Sequence, residues 1–386
     1  MNPLKPLVFI RPVTQLGGAD KSTIALVKEI NKTRKVIVLD YYGCCREYFE
    51  LMEKFNIEYK IIMPEANIKI IGGRNRFDRI VRLLKAYKEI SLFITKLRKV
   101  LDEINPEAIW FSDDKSLYCV GRALEIIPAS NTKTIMFIRG DIGRVKFICV
   151  KYWKRLHCIA GNNSVSLQYY KKFGWARNKL KVVYNGLDIE DVHKAAETPL
   201  DGLPRQNCKF KVVLPAMLIP LKAQDMAIRG FAEFIKKYDN TVLWLCGNTP
   251  NNLPLEYENS LKALVSQLGI QDKVFFLGWR KDIIAIMKQA DVMILTSTTE
   301  GLPRSILEAM AVKTPVVSTK AGGIVDIIVD EENGMLIDID DHKSLVNKLL
   351  KLTDKLLRDK IVDNATQTLE NKFTINIQAS TFLKCF

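Results

Sequence analysis

Residues 290–323 read ADVMILTSTTEGLPRSILEAMAVKTPVVSTKAGG. Val292–Leu295 is an apolar run too short for a helix, and it reads as a buried strand. Thr296–Pro303 is a polar loop containing Gly301 and Pro303. Pro303 suits the first turn of a helix, where a missing N–H is no loss. A helix is therefore expected over Arg304–Val312, and a further strand over Pro315–Ser318. Strand, loop, helix and strand at this spacing form the repeating unit of a parallel α/β sheet.

The expected helix start carries free N–H groups on Arg304, Ser305 and Ile306, which with the helix dipole make an anion site. Glu308 follows Ser305 by one turn on the same face, placed to accept from a pair of hydroxyls beside a bound phosphate. Glu300 stands at the strand end, on the other side of the same amides. Phosphate flanked by two hydroxyl-binding carboxylates is the layout of a nucleotide sugar. The same two residues also fit a loop charge and a solvated helix face, so the pattern alone leaves both readings open.

Working outward, the rhythm covers the whole chain. Leu7–Ile10, Val36–Leu39, Ala108–Phe111, Thr134–Ile138, Cys158–Ala160 and Val182–Val183 read as short strands, with a Gly17-Gly18 turn and a helix at Lys21–Asn31 after the first. Thr198–Asn207, TPLDGLPRQN, has the composition of a linker. Strands then recur at Phe210–Leu214, Thr241–Cys246 and Val274–Phe276, and a periodic segment around Leu345–Leu369 closes the series. The expected organisation is α/β throughout: a first domain at 1–197 and a second at 198–370. The helix 371–386 is expected to pack back on the first. Two such sheets place a ligand in the cleft between them, at the carboxyl ends of the strands.

Composition narrows the function. The chain has 386 residues, 48% of them hydrophobic, enough for two cores and too many for a disordered chain. Eight Cys show no CxxC spacing and three His share no motif, so neither a zinc centre, a disulfide framework nor a His-based hydrolase is expected. No metal and no cofactor is expected. No apolar run approaches a membrane span, and the opening MNPLKPLVFIRP is too short in apolar residues for a signal peptide. The net charge is +15, and its distribution is uneven: residues 1–200 hold 35 Lys+Arg against 21 Asp+Glu, while the remainder is nearly neutral. Basic stretches interleaved with aromatics, at Arg74–Leu101, Arg144–Arg155 and Tyr169–Lys181, suit an anionic bilayer surface, or else an ordinary core stripe with a solvated face.

The stretch Glu300-Gly-Leu-Pro-Arg-Ser-Ile-Leu-Glu308 resembles the E-x7-E signature of retaining glycosyltransferase family 4, whose fold is GT-B, two Rossmann-like domains facing each other across a cleft. The clear likeness covers about Leu268–Ile339. The resemblance implies that Glu308 binds the nucleotide ribose and that Glu300 binds sugar hydroxyls. Gly301 and Leu302 would cradle the transferred sugar, and the Ser305 and Ile306 amides would hold diphosphate oxygens. Ala216–Asp225 is similar to the family's G-R-x-x-x-x-K-G segment, which implies that Lys222 neutralises the leaving diphosphate. Met217 stands at the usual Arg, with Arg280 or Arg139 as replacements. Gly17-Gly18 resembles the family's phosphate-approaching loop. Two His of the family are absent, leaving Asp113 and Asp114 after one strand, and Arg139 with Asp141 after another, toward the acceptor. The catalytic set so implied is Glu300, Lys222 and Arg139.

The implied reaction moves a hexose or N-acetylhexosamine from a UDP- or GDP-linked donor to a glycan or lipid-linked hydroxyl, in cell-surface polysaccharide synthesis. The implied location is cytoplasmic, on the inner face of the cell membrane. The rival readings are a nucleotide-sugar-binding protein without transfer, a nucleotide-sugar epimerase and, remotely, a nucleic-acid-binding protein. No nucleic-acid module is visible in the chain, and no nucleic-acid partner is expected.

Overall fold

The computed structural model describes residues 4–64, 76–126, 131–139, 145, 149–251 and 253–386, with the backbone alone at 19, 76–87 and 126. The chain divides into two compact units, Met1–Val183 with Ile375–Phe386, and Tyr184–Thr374.

In the first unit the strands are β1 (Leu7–Arg11), β2 (Val36–Asp40), β3 (Glu58–Ile61), β4 (Ala108–Phe111), β5 (Lys133–Ile138), β6 (Cys158–Gly161) and β7 (Leu180–Val182). They form a parallel sheet in the order β3-β2-β1-β4-β5-β6-β7. Both faces are covered, so the central strands read as unbroken apolar runs. Strand β3, EYKI, lies at the sheet edge and is polar and part-exposed, which is why no apolar run announces it. The helix Ile375–Leu383 belongs to this unit: Phe382 is fully buried, with its ring 5.2 Å from Trp110 and 5.5 Å from Phe137. Burying one such ring contributes about 2–3 kcal/mol.

The second unit holds β8 (Phe210–Pro215), β9 (Thr241–Cys246), β10 (Val274–Gly278), β11 (Val292–Leu295), β12 (Val316–Thr319) and β13 (Met335–Ile337). Their order is β10-β9-β8-β11-β12-β13. The boundary falls at Val183–Tyr184, earlier than the expected 197/198. The reason is packing. Val192 and Ala196 of the helix Ile189–Ala196 lie in one core with Val213, Ile306 and Met310. The Pro/Gly-rich segment after that helix is a tied loop, not a linker: Trp244 Nε1 donates to Pro204 O at 3.0 Å, and Leu203 is buried.

Each sheet reverses its winding beside its first strand, between β1 and β4 and between β8 and β11. At such a switch point two loops diverge and leave a crevice at the carboxyl ends of the strands. In the second unit those loops are 216–223 and 296–303. The topology thus joins two stretches that lie nearly eighty residues apart in the chain.

Candidate functional site

The loop after β8 ends in a tight turn, Pro220–Lys222, followed by Ala223 in the left-handed region at φ 45°, ψ 48°. An alanine rarely takes this conformation. Here the neighbouring loop holds it. The Thr296 hydroxyl lies 2.9 Å from the carbonyls of both Lys222 and Ala223, and Thr298 N–H donates to Leu221 O at 2.9 Å. These bonds set the direction of Lys222, whose Nζ reaches Glu300 Oε1 at 2.6 Å. Ser297 Oγ donates to the same oxygen, also at 2.6 Å. The Lys222 and Glu300 side chains are only 18% and 11% exposed, so the pair is largely withdrawn from water.

Gly322 fixes the other side of Glu300. Its φ is +53°, and a Cβ there would lie 1.8 Å from Glu300 O. Gly323 N–H donates to Gly301 O at 2.8 Å, and the buried Asn185 donates through Nδ2 to Leu302 O at 3.2 Å. The Glu300–Leu302 backbone is therefore clamped by short contacts from two other segments.

The helix Arg304–Ala311 begins as expected, with one correction. Pro303 is its N-cap (φ −69°, ψ 119°), not part of its first turn. Ile306 N–H turns back to Pro303 O at 3.3 Å, so the helix tip presents the amides of Arg304 and Ser305 and not the expected three. Arg304 Nε donates to Glu308 Oε1 at 2.6 Å, a turn deeper on the same face. Lys222, Glu300, Gly301, Leu302, Ser305, Ile306 and Glu308 therefore fall on two adjoining loops and one helix start of a single unit.

Arg280 does not replace the cation missing at Met217. It is committed to Asp282 through Nε at 2.8 Å and Nη2 at 2.6 Å, and Nη2 also donates to Asp201 O. The same guanidinium holds the Asp282 carboxyl below its ordinary range.

In the first unit, Gly17 caps the helix Gly18–Asn31, and its N–H is already taken by Asp20 Oδ2 at 3.0 Å. Neither Gly17 nor Gly18 has a positive φ, and a Cβ on Gly18 would meet nothing within 4 Å. Arg11 pairs with Asp20 at 3.1 Å. The Arg139 guanidinium lies 4.7 Å from the Phe137 ring centroid; burial, with Arg11 nearby, pushes it down to about 9, still cationic at neutral pH.

The two expected acceptor-side carboxylates are otherwise engaged. Asp113 accepts Ser116 N–H at 2.8 Å and Ser116 Oγ–H at 2.7 Å, the geometry of a helix cap. Asp114 accepts the Trp153 indole N–H at 3.2 Å. Asp141 lies outside the described residues, as do 74–75 of the basic stretch Arg74–Leu101 and 140–144 and 146–148 around Arg144–Arg155.

In sequence, Thr296, Ser297, Asn185 and Gly322 are passed over as site residues, and only the backbone N–H of Arg304 is taken. Of these, only Gly322 carried a local signal, as half of a Gly-Gly pair after a strand. Thr296 and Asn185 act through partners distant in the chain, whereas Ser297 and the Arg304 side chain act on Glu300 and Glu308, three and four residues on.

Residues 202–368 match the family described as glycosyl transferases group 1. The chain is 26% identical over 233 residues to the lipopolysaccharide core biosynthesis glycosyltransferase LpsE of Rhizobium meliloti, covering 58% of this chain and 62% of that protein. It is 25% identical over 368 residues to a Campylobacter jejuni protein, covering 93% of this chain and 92% of the other. That protein is GalNAc-alpha-(1->4)-GalNAc-alpha-(1->3)-diNAcBac-PP-undecaprenol alpha-1,4-N-acetyl-D-galactosaminyltransferase. Against several curated relatives, LpsE among them, the match spans only 51% to 62% of the relative's length. Among solved structures, Anabaena HepE in complex with UDP superposes with a TM-score of 0.79 at 20% identity over 98% of each chain, a likeness of fold. Two doubly wound parallel units in one chain are the architecture of the GT-B fold.

Proposed function

We propose that the chain, whose residues 202–368 match the glycosyl transferases of group 1, is a retaining glycosyltransferase that uses a UDP- or GDP-linked sugar. The sugar is a hexose or N-acetylhexosamine, and the acceptor is a hydroxyl of a glycan or lipid-linked saccharide in cell-surface polysaccharide synthesis. The observation that carries this reading is the pair Lys222–Glu300, 2.6 Å apart, beside a helix tip that has Glu308 one turn below it. A cation at the leaving group and carboxylates for the hydroxyls on either side are what an activated sugar requires.

In the proposed reaction the bond from the anomeric carbon to the diphosphate oxygen breaks. A bond from the acceptor oxygen forms on the same face, and the acceptor proton passes to the departing phosphate. Lys222 and the amides of Arg304 and Ser305 oppose the charge that builds on the diphosphate. Glu300 orients sugar hydroxyls, held in place by Ser297 and by the glycine contact at Gly322. Glu308 takes the ribose diol. By family likeness we also propose Gly17 and Gly18 as donor-binding residues and Arg139 as a catalytic and acceptor-side residue.

A lipid-linked acceptor is supported by the Campylobacter relative, whose name gives an undecaprenol-linked substrate, and by the basic first half of the chain. We place the protein at the inner face of the cell membrane on these grounds. No described helix is long and apolar enough to cross a membrane.

The deciding experiment incubates the protein with a panel of UDP- and GDP-sugars and follows the product by NMR. Sugar released or transferred with its anomeric configuration kept, and lost in Lys222→Ala and Glu308→Ala, supports the proposal. Inversion at the anomeric carbon removes the retaining mechanism. A donor bound but unchanged identifies a nucleotide-sugar-binding protein, and an epimerised sugar identifies an epimerase. Salt-reversible binding to anionic vesicles tests the membrane placement; binding to RNA in their stead sinks it.

A further inference from the structure

Among the described contacts, Lys222 pairs with Glu300 and Arg304 with Glu308. Both cations are thus already paired with a carboxylate before a diphosphate, with its two negative charges, arrives. Arg304 also stands in an electrostatically awkward place. It is the first residue of its helix, at the positive end of the dipole, and no acidic residue lies in that first turn. An anion seated at the tip relieves this repulsion.

The side chain has donors for it. A guanidinium carries five N–H groups in a fixed fork, and the contact with Glu308 at 2.6 Å uses the one on Nε. The Arg304 side chain is 35% exposed, so part of it is open to solvent. It sits one turn from Glu308 and on the same residue as a free helix-tip amide.

Resting on the nucleotide-sugar reading above, we infer that Arg304 is the second cation of the diphosphate subsite. Its Nε holds Glu308 toward the ribose, and its Nη groups bind a phosphate oxygen. The residue thereby links recognition of ribose to recognition of diphosphate. It favours a diphosphate over a monophosphate or a bare nucleoside.

The test compares UDP, UMP and uridine, with GDP, GMP and guanosine in parallel, by isothermal titration on the full chain. The proteins are the wild type, Arg304→Gln and Arg304→Lys. Gln keeps a hydrogen bond to Glu308 and loses the charge. The inference expects Arg304→Gln to weaken the diphosphate about tenfold or more and the nucleoside less than twofold, with a shallower salt dependence. Arg304→Lys should recover part of the diphosphate affinity, since it keeps charge without the fork. An equal loss for diphosphate and nucleoside would show that Arg304 only orients Glu308, and overturns the inference. No loss at all does the same while leaving the nucleotide reading intact. Failure of the wild type to bind any of the six ligands removes that reading, and the inference with it. Thermal melting of the unliganded variants checks folding; removing a positive charge from the helix tip should leave the midpoint unchanged or raise it.

Discussion

At the carboxyl edge of the first sheet the acids serve the protein itself. Asp40, fully buried at the end of β2, accepts N–H bonds from Val13, Tyr42 and Gly43 at 2.7–2.9 Å. Asp113 caps a helix and Asp114 holds an indole. At the same edge of the second sheet, Glu300 accepts from Lys222 and Ser297 and Glu308 from Arg304, and a clamped loop supports Glu300. One architecture therefore appears twice with its polar groups used in two ways. In the first unit they fix loop conformation. In the second they form ion pairs, which in the proposed reading a ligand's hydroxyls and phosphates take over.

The sharpest way to break this contrast is to mutate across it. Lys222→Ala should lower kcat by about 10²–10³, the effect of losing one preorganised charge at developing negative charge, measured as steady-state donor turnover. Asp113→Ala should leave turnover within about threefold and reduce stability by about 1 kcal/mol, the usual loss for a helix cap, measured by denaturant unfolding. If Asp113→Ala removes activity while the fold survives, the first unit's acids are catalytic and the contrast is wrong. Gly322→Ala comes next. A methyl 1.8 Å from Glu300 O must push the loop away. Donor affinity should fall at least tenfold, with about 1–3 kcal/mol lost from stability. Asn185→Ala releases only the Leu302 carbonyl and should weaken donor binding less than Gly322→Ala does.

These residues also show what the sequence could express. Most strands of both sheets were readable because they are buried on both faces and so are continuously apolar; β3 was not, because an edge strand has no such need, and neither was β13, a run of only three residues. Glu300, Glu308 and the helix between them were readable because all their spacing is local. Lys222 was placed by family likeness, and only the strand order β8-β11 brings it to Glu300. Arg280 looked available as a cation until folding set it on Asp282, two residues away. The domain boundary was misplaced because a loop rich in Pro and Gly looks the same whether it hangs free or is tied down by Trp244 Nε1.

The smallest effect, and one that separates the units by sign, concerns acid. Glu331 of the second unit receives hydrogen bonds from Lys348 and Lys351, which hold its carboxyl down at about 2. A depressed folded value means stability that is present above about 4.5 and is lost as pH falls toward 2. The pair is half exposed, so the amount is below about 1 kcal/mol. Asp40 of the first unit is moved the other way: burial raises it above 3.8, against its three N–H bonds. Its contribution is full below 3.8 and declines as pH rises through the raised value, because ionising it in place opposes desolvation. Melting temperatures of Glu331→Gln and Asp40→Asn, each subtracted from wild type across pH 2–7, should therefore slope in opposite directions. The Glu331 difference should grow as pH rises, and the Asp40 difference should shrink. The amide's lost acceptor in Asp40→Asn adds a constant offset and leaves the slope alone. Parallel slopes would mean that the N–H bonds, and not burial, govern Asp40, and that the first unit's carboxylate is as strongly stabilised in its charged form as the second's.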